Sequence, residues 1–411
     1  MDQSVGRIVS AHANVMVAER MSVYPCRHDS CDMQCFIHSI ETEVPETALR
    51  QDYIRQFMKE HVARSRLASL TVQRIYAHSA IDKRHSALHE LGQPPRDGIF
   101  FDAERQRVRN PPTGDRNDRY QSETIKLLST LPARAIRSAN FQPGDVTHII
   151  TASCTGFFAP GPDFHIIRSL DLPPTVQAYH LGYMGCYAAF PAMRLAQHIC
   201  ASQPEAVVLI VCHELCTLHL QFTDDPDALL AASIFADGAA AAIVTAQPPT
   251  LDRKALSLDA LHTTRTPEGE RDMAWTIGNT GFDMVLTPKI PALIRKYIND
   301  ALLPYTSSHL DLEAIRYWAV HPGGRAILDA VQAAHGLADE LLAPSRETLR
   351  EYGNMSSATI WFVLRKIMQQ STLAPAPILA MAFGPGLTIE SGLLHAIPAQ
   401  NASTPHALAA T

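Results

Sequence analysis

The chain has 411 residues, which is enough for two or three average domains or for one large two-lobed α/β unit. Its net charge is −6 and no dense block of Lys and Arg occurs, so a nucleic-acid-binding groove is disfavoured. No apolar run approaches the ~20 residues that a membrane-spanning helix needs, and eight cysteines without a secretion signal indicate reduced thiols in a cytoplasmic protein.

The first residues show no clear strand or helix repeat, and we expect residues 1–35 to form a flexible N-terminal extension. They contain four potential metal ligands, namely Cys26, His28, Cys31 and Cys35. Four residues separate Cys26 from Cys31, and three separate Cys31 from Cys35. A structural zinc site typically has two closely spaced ligand pairs, and no second pair of ligands follows these cysteines. We therefore expect no metal site.

The rest of the chain repeats one order of elements twice. The first half is predicted to contain helix Asp118–Asn140, strand Val146–Ser153, a helix from Cys186 to about Ser202, and strands Ala206–Cys212 and Gly238–Val244. The second half is predicted to contain helix Ala292–Leu303, strand Ile315–Val320, a helix that Gly336 ends, a helix near Met355–Gln370, and strands Ile378–Ala382 and Leu387–Leu394. This order predicts an α/β fold with two pseudo-repeated, layered halves whose apolar strands are covered on both faces. We place the halves at residues 36–255 and 256–398, followed by a disordered tail at 399–411.

A glycine turn in the first half presents a candidate nucleophile. Cys186 follows Gly185 and precedes a run rich in Ala and Leu, which predicts a tight turn that opens a buried helix. The helix dipole and the free N–H groups at a helix N-terminus favour a thiolate, so we expect a lowered thiol pKa. On this turn alone, a buried structural cysteine is an equally good reading.

The duplication brings two further polar residues toward this turn. Asn354 lies at the matching turn of the second half, and His321 ends the strand that matches the one before Ser153. A thiolate can accept an acyl group from a thioester, and His and Asn can both donate to a thioester oxygen. Two such donors stabilise an enolate or a tetrahedral oxyanion, and loss of CO₂ would generate the enolate without a general base.

Four segments of the chain resemble a known family: Met184–Cys186, Val320–Gly324, Tyr352–Ser357 and Phe383–Leu387. Together they resemble the type III polyketide synthases, the chalcone-synthase-like branch of the thiolase superfamily, from about Phe36 to Pro398. Ser153–Phe157 is similar to bacterial members, several of which extend fatty-acyl starters. The resemblance implies a thiolase-like αβαβα fold and malonyl-CoA and acyl-CoA as substrates, with no further cofactor. It also implies a homodimer in which Ala159 lies near the partner's cavity.

The resemblance assigns roles to individual residues. Cys186 is implied as the acyl nucleophile, with His321 and Asn354 as the decarboxylation and oxyanion pair. Phe235 is implied as an aromatic gate beside the thiol, although core packing is the alternative. Arg74 matches one of the family's basic CoA-binding positions.

Some pocket positions depart from the plant members. Met284 stands where those enzymes have a second gate phenylalanine, Trp275 replaces a cavity-lining glycine, and Cys216 and His219 replace two threonines. The other candidate pocket residues are Cys154, Thr155, Leu220 and Ser356. Small side chains on one wall would admit an acyl chain, since each buried methylene contributes ~0.8 kcal/mol, whereas Leu220 and Trp275 favour a shorter cavity.

The expected function is malonyl-CoA condensation onto a fatty acyl starter, followed by cyclisation to an alkylpyrone or alkylresorcinol. An aromatic or malonyl-only starter would instead give a phloroglucinol- or naphthalene-type product. A chain-initiating ketoacyl-acyl-carrier-protein synthase is a second alternative, but no basic patch for an acidic carrier protein is evident in the sequence. A non-catalytic thiolase-fold scaffold is a third, and it would have no need of Cys186, His321 and Asn354 together.

Overall fold

The computed structural model describes residues 34–308 and 310–400. The predicted extension and tail lie outside the described residues, apart from their innermost positions. Cys35 is one of these positions, and it is the first residue of a buried strand. The first described strand therefore begins one residue before the predicted boundary at Phe36.

The described residues form fifteen strands: β1 (Cys35–Glu43), β2 (Ala48–Arg50), β3 (Lys83–His85), β4 (Phe101–Asp102), β5 (Arg107–Val108), β6 (His148–Ala152), β7 (Gln177–Leu181), β8 (Val208–Leu215), β9 (Asp237–Thr245), β10 (Ala255–Arg265), β11 (Met273–Gly278), β12 (Gly281–Leu286), β13 (Tyr317–Val320), β14 (Pro377–Gly384) and β15 (Thr388–Ile397).

They also form eleven α-helices: α1 (Gln51–His61), α2 (Arg66–Ala77), α3 (Thr113–Leu127), α4 (Leu131–Ser138), α5 (Pro162–Ser169), α6 (Ala189–Ser202), α7 (Pro226–Ile234), α8 (Ile290–Thr306), α9 (Arg325–His335), α10 (Ala343–Tyr352) and α11 (Thr359–Met368).

The main sheet shows the predicted duplication. Its nine strands run in the order β13-β14-β15-β10-β1-β9-β8-β6-β7, and the two halves meet where β1 and β10 pair antiparallel. Outward from β1, the first half continues with β9, β8 and β6. Outward from β10, the second half continues with β15, β14 and β13. In both halves the outer two of these strands are parallel to each other. β6 therefore corresponds to β13, and α6 corresponds to α11.

The layers follow from where alternate side chains point. In β8, Val208, Ile210 and Cys212 join the central core cluster, whereas Leu209 and Val211 join the outer cluster of the first half. The central cluster also contains the apolar faces of α6 and α11 and inner side chains of β14, while the outer face of β14 packs on α8 and α9. Two sheet halves thus enclose α6 and α11 and carry helices outside, which confirms the αβαβα expectation.

Several elements differ from the prediction. The predicted helix Asp118–Asn140 is divided into α3 and α4 at Leu128–Thr130, next to Pro132. The exposed strand β7 and the hairpin β11–β12 were not predicted, because neither has a continuous apolar run. β10 begins at Ala255, so the predicted boundary between residues 255 and 256 falls inside a strand that joins the halves.

Candidate active site

The turn before α6 positions Cys186. Residues Gly185–Tyr187 form one turn of 3₁₀ helix that leads directly into α6, so the thiol lies one turn before the α-helix proper. Gly185 has φ +72°, and a Cβ there would lie 3.1 Å from Pro385 Cδ. Glycine is favoured at this position because the left-handed backbone strains other residues and a Cβ would press against Pro385.

Asn354 contacts the thiol directly. Its Nδ2 lies 3.7 Å from Cys186 Sγ and donates to Gly323 O at 3.3 Å. Its Oδ1 accepts the Ser356 backbone N–H at 2.8 Å, and this contact fixes which way the amide faces. Oδ1 also lies 3.8 Å from Cys186 Sγ, so the whole amide is held beside the thiol before any substrate arrives.

The backbone at Asn354 is fixed by the end of α7. Asn354 N donates to Ile234 O at 2.9 Å, and Ala236 N donates to Asn354 O at 2.8 Å. Phe235 lies between these two residues and forms a parallel bridge with Asn354. The proposed gate residue and the proposed oxyanion donor are thus parts of one short backbone ladder.

His321 lies at the end of β13, as the duplication predicted. It is fully buried, and its backbone N–H donates to Met381 O in the adjacent strand β14 at 2.8 Å. Neither ring nitrogen has a hydrogen-bond partner in the described structure. A Cβ built on Gly323 would lie 3.7 Å from His321 Nε2, so the ring is adjacent to the residue whose carbonyl Asn354 binds. A buried ring with two free nitrogens is suited to bind a substrate oxygen.

The electrostatics of the pair correct one sequence expectation. Burial raises the pKa of the Cys186 thiol to about 11, although hydrogen bonds from Ser356 and Asn354 act in the opposite direction. Burial lowers the pKa of His321 to about 3. The expectation of a lowered thiol pKa is wrong for this arrangement, because burial outweighs the effect of the helix N-terminus. The site at rest holds a neutral thiol and a neutral imidazole.

A buried carboxyl group near the thiol was not found from the sequence. Glu214 is fully buried at the end of β8, and burial raises its pKa. It accepts hydrogen bonds from Ser357 Oγ at 2.6 Å, Thr155 Oγ1 at 2.9 Å and Cys154 N at 3.0 Å. The only sequence signal was a charged residue directly after an apolar strand run. Glu214 joins the end of β6 to the Asn354 turn and fixes one wall of the site.

All the predicted gate and pocket residues line one cavity, whose empty volume, including its open mouth, is about 1340 Å³. Cys186 and Asn354 line it together with the following predicted residues: Cys154, Thr155, Cys216, His219, Leu220, Phe235, Trp275, Met284 and Ser356. His321 is not among the lining residues, although its neighbour Gly323 is. Arg74 lies outside the lining, on the exposed face of α2.

One wall of the cavity is a stack of three rings. The rings of His219 and Phe282 are 3.8 Å apart and nearly parallel, and those of Phe282 and Trp275 are 5.0 Å apart. His219 Nδ1 accepts the Phe282 backbone N–H at 3.2 Å, so Nε2 carries the proton and donates to Thr155 O at 2.7 Å. Met284 pairs with Trp275 across the hairpin β11–β12. Phe282 was not predicted, because the sequence gives no register for this hairpin.

A second part of the lining is deeply buried and apolar. It consists of Leu49, Ile54, Met58, Leu88 and Leu91, all at most 5% exposed. Ser86 Oγ lies 2.8 Å from Thr217 Oγ1, which brings the segment of Leu88 beside Cys216. These five residues form an apolar part of the lining on the side of Cys216, which we call the apolar branch.

None of the described helices combines the length and apolar character needed to cross a membrane. Within residues 34–308 and 310–400, no three His, Cys, Asp or Glu side chains are grouped so that they could hold a metal ion. The N-terminal residues Cys26, His28 and Cys31 lie outside this described part.

The chain matches two family models along most of its length. The model of the N-terminal domain of chalcone and stilbene synthases matches residues 27–248. The model of the C-terminal domain of the same enzymes matches residues 258–398. The first match begins before the predicted edge of the core at Phe36.

Solved structures of related enzymes superpose on most of the chain. PKS-I from the brown alga Ectocarpus siliculosus is 27% identical, with a TM-score of 0.82, over 89% of this chain and 99% of the other. The type III domain of Steely1 from Dictyostelium is 26% identical, with a TM-score of 0.80, over 89% and 100%. The 1,3,6,8-tetrahydroxynaphthalene synthase of Streptomyces coelicolor A3(2) is 27% identical, with a TM-score of 0.78, over 88% and 99%.

Proposed function

Since this chain belongs to the chalcone and stilbene synthase family and is a type III polyketide synthase, we propose that its starter is a medium- or long-chain fatty acyl thioester. The enzyme extends this starter a few times with malonyl-CoA and closes the product as an alkylpyrone or alkylresorcinol. Family membership disfavours a ketoacyl-acyl-carrier-protein synthase, and the complete Cys-His-Asn set disfavours a scaffold.

The apolar branch beside Cys216 is the observation that carries the choice of starter. Its lining is aliphatic and almost completely buried, so a hydrocarbon chain would bury its full surface there. Each buried methylene contributes about 0.8 kcal/mol, and affinity should therefore rise with chain length until the branch is full.

The ring stack limits the space left for the polyketide. Trp275, Phe282 and His219 form a flat wall on the same cavity, and the hydrogen bonds of His219 prevent the wall from tilting. A fatty starter in the branch and a growing chain against this wall would share one cavity. This arrangement supports few extensions and an early ring closure.

Starter loading uses Cys186 and His321. The thiol attacks the thioester carbonyl, and its proton passes to the neutral imidazole of His321 and then to the leaving CoA thiol. Decarboxylation of malonyl-CoA then yields an enolate, and Asn354 Nδ2 and a His321 N–H donate to its oxygen. Loss of CO₂ itself supplies the carbanion, so these steps require no cofactor. Phe235, which pairs with Asn354 and lines the same cavity as the thiol, acts as a gate that separates the reacting carbons from the mouth.

A second candidate is condensation of malonyl units alone, or extension of an aromatic starter. The similarity to the Streptomyces coelicolor tetrahydroxynaphthalene synthase favours it, as does the aromatic wall formed by Trp275 and Phe282. Such an enzyme would release a naphthalene- or phloroglucinol-type product.

Product analysis distinguishes the two candidates. Purified protein is incubated with malonyl-CoA and a graded series of acyl-CoA starters, from acetyl and benzoyl to long saturated chains, and the products are identified by mass spectrometry. We expect kcat/KM to rise with aliphatic chain length and the products to be alkylated pyrones or resorcinols. Efficient turnover of malonyl-CoA alone, with rejection of long starters, would contradict the fatty-acyl proposal.

Cys216→Phe is expected to block long starters and to spare short ones. The added ring would occupy the opening of the apolar branch without touching Cys186, His321 or Asn354. The measurement is kcat/KM across the same acyl-CoA series. Cys212→Ala is the control, because this buried thiol belongs to the same strand region but does not line the cavity. An unchanged chain-length profile in Cys216→Phe would show that the branch is only core packing.

We also expect a homodimer. The edge strand β7 exposes Gln177–His180, and its Tyr179 and the neighbouring Phe164 of α5 are each 40% exposed. Unpaired strand edges flanked by aromatic side chains are typical of self-association, and stable dimers bury upward of ~2,000 Å². Ala159 is exposed in the neighbouring loop, as its implied position near the partner's cavity requires.

Light scattering should give about twice the mass of one chain for the wild type, and Tyr179→Asp should shift the equilibrium toward monomer. Leu303→Asp is the matched control, since Leu303 is 57% exposed on α8, in the other half of the sheet. A fully active monomeric wild type would refute the expectation.

A further inference from the structure

A chain of buried hydrogen bonds leads away from the active site behind Glu214. Glu214 Oε2 accepts the hydroxyl of Ser153 at 3.3 Å, and Ser153 Oγ accepts the hydroxyl of Tyr120 at 2.7 Å. The Tyr120 oxygen lies 2.9 Å from His213 Nε2. These four residues are at most 1% exposed, and none of them lines the cavity. We call Ser153, Tyr120 and His213 the Glu214 relay.

The packing around Tyr120 fixes the position of its hydroxyl group. A Cβ built on Gly156 would lie 2.2 Å from the Tyr120 ring, so only glycine leaves room for the ring at this point. The ring also stacks on that of His213, with centroids 5.9 Å apart, and makes an edge contact with Phe158. The hydroxyl group is therefore held against Ser153.

Each hydrogen bond of the Glu214 relay has one possible direction when Glu214 is ionised. A carboxylate only accepts, so Ser153 donates to it and must accept from Tyr120. The single hydroxyl proton of Tyr120 is then in use, and His213 must donate from Nε2 to the Tyr120 oxygen. Burial lowers the pKa of His213 to about 3, which keeps the ring neutral, and Nδ1 has no partner in the described structure. A neutral ring with its proton on Nε2 fits this direction.

The other contacts of Glu214 also favour its charged form. The Cys154 backbone N–H can only donate, and the Thr155 hydroxyl already accepts the Leu215 N–H, so its own proton is free for Glu214. Burial raises the pKa of Glu214, whereas the hydrogen bonds from Ser357, Cys154 and Thr155 lower it. Hydrogen bonds in a chain polarise one another and strengthen the last donor. Loss of the relay should therefore make the carboxyl group easier to protonate.

The charge of Glu214 acts on the titratable groups packed around it. These groups are Tyr120 on α3, Cys154 after β6, Cys186 before α6, and Cys212, His213 and Cys216 on or directly after β8. Burial keeps all of them neutral near neutral pH, as it does His321 at the end of β13. The negative charge of Glu214 raises the pKa of the Cys186 thiol, in addition to the larger effect of burial.

We propose that Tyr120 and His213 are positioning residues that hold Glu214 as a carboxylate and thereby keep the Cys186 thiol protonated in the resting enzyme. The proposal deepens the role of Cys186 in the proposed function. A protonated thiol reacts slowly with electrophiles, because the thiolate is the nucleophile. The relay thus restricts the reactivity of Cys186 to the loading step, in which His321 takes up the thiol proton.

The test measures the rate at which dipyridyl disulfide, a small reagent that reacts with thiolates, modifies Cys186 at a series of pH values. The modified peptide is quantified by mass spectrometry. Tyr120→Phe keeps the ring but removes the hydroxyl group, and Ser153→Ala breaks the relay next to the carboxylate. Tyr53→Phe is the matched control and should behave as the wild type, because the Tyr53 hydroxyl on α1 donates to Gly92 O at 2.7 Å, outside the relay.

Tyr120→Phe and Ser153→Ala should each speed the modification of Cys186 near neutral pH by about five-fold or more, since one pKa unit changes the thiolate fraction about ten-fold. The difference should be confined to the pH range between the pKa of Glu214 in the wild type and its higher pKa in the variant. Below that range Glu214 is protonated in both proteins, and the rates should converge. A site that is merely loosened would differ at every pH. His213→Leu should have a smaller effect, because Tyr120 can still donate to Ser153.

Glu214→Gln removes the charge directly and tests the path of the effect. Adding Tyr120→Phe to Glu214→Gln should change the reactivity of Cys186 no further, because the relay acts only through the carboxylate. If Glu214→Gln does not fold, the pH range in Ser153→Ala decides the same point.

Wild-type rates in both Tyr120→Phe and Ser153→Ala would overturn the proposal. A difference that persists at acidic pH, or a further increase in the double variant, would do so as well. The assay needs no acyl substrate, so failure of every fatty acyl-CoA to be turned over would contradict the proposed function alone.

Discussion

Asn354→Ala is expected to slow the release of CO₂ from malonyl-CoA by about 10²–10³-fold, the usual effect of removing one oxyanion donor. Asn354 Oδ1 accepts the Ser356 N–H and its Nδ2 donates to Gly323 O, so both ends of the amide are held in place. Starter loading should remain measurable, because Cys186 and His321 are untouched. The measurement is release of labelled CO₂ in parallel with single-turnover acylation of Cys186.

Asn354→Asp separates the donor from the geometry. Aspartate keeps an oxygen that can accept the Ser356 N–H, but it offers no N–H to an enolate and adds a negative charge. It should therefore be as impaired in decarboxylation as the alanine variant. Normal CO₂ release in either variant would remove Asn354 from the mechanism.

Cys186→Ala is expected to abolish polyketide formation completely. The acyl chain would have no atom to which it could be attached, while His321 and Asn354 could still bind malonyl-CoA and promote loss of CO₂. We therefore expect decarboxylation without condensation. Product analysis and CO₂ release, measured on the same samples, check this expectation.

Cys200→Ala is the matched control, since Cys200 is a buried thiol on α6 that does not line the cavity. It should retain product formation. Condensed product from Cys186→Ala would show that another thiol carries the chain, and Cys154, which also lines the cavity, would be the first to examine.

The contact between Asn354 and Cys186 and the position of His321 at the end of β13 could be predicted because they depend only on topology. A duplicated order of strands and helices places matching strand ends and matching turns about one centre, and the sheet order follows that rule. Gly336 could also be predicted to end a helix, and it does so with φ +61°. These features depend on local sequence pattern, which the chain itself contains.

The state of charge of the site could not be predicted in this way. A turn before a helix favours a thiolate, but the number of apolar groups that surround Cys186 is a property of the folded chain. Glu214 and the aromatic stack were missed for a related reason. Their partners, such as Ser357 for Glu214 and Phe282 for His219, lie more than 60 positions away.

The apolar branch shows the same limit. Ile54 and Met58 belong to α1, far from any catalytic segment, and nothing in their local pattern indicates contact with a substrate.

The most direct test of the account follows the mass of the Cys186-containing peptide during turnover of a long-chain acyl-CoA with malonyl-CoA. Samples are quenched over time, digested and analysed by mass spectrometry. The account predicts a fatty acyl adduct on Cys186 that gives way to adducts longer by successive two-carbon ketide units, with alkylpyrone or alkylresorcinol appearing in parallel. Product formation without any acyl group on Cys186, or adducts built from malonyl units alone, would contradict it.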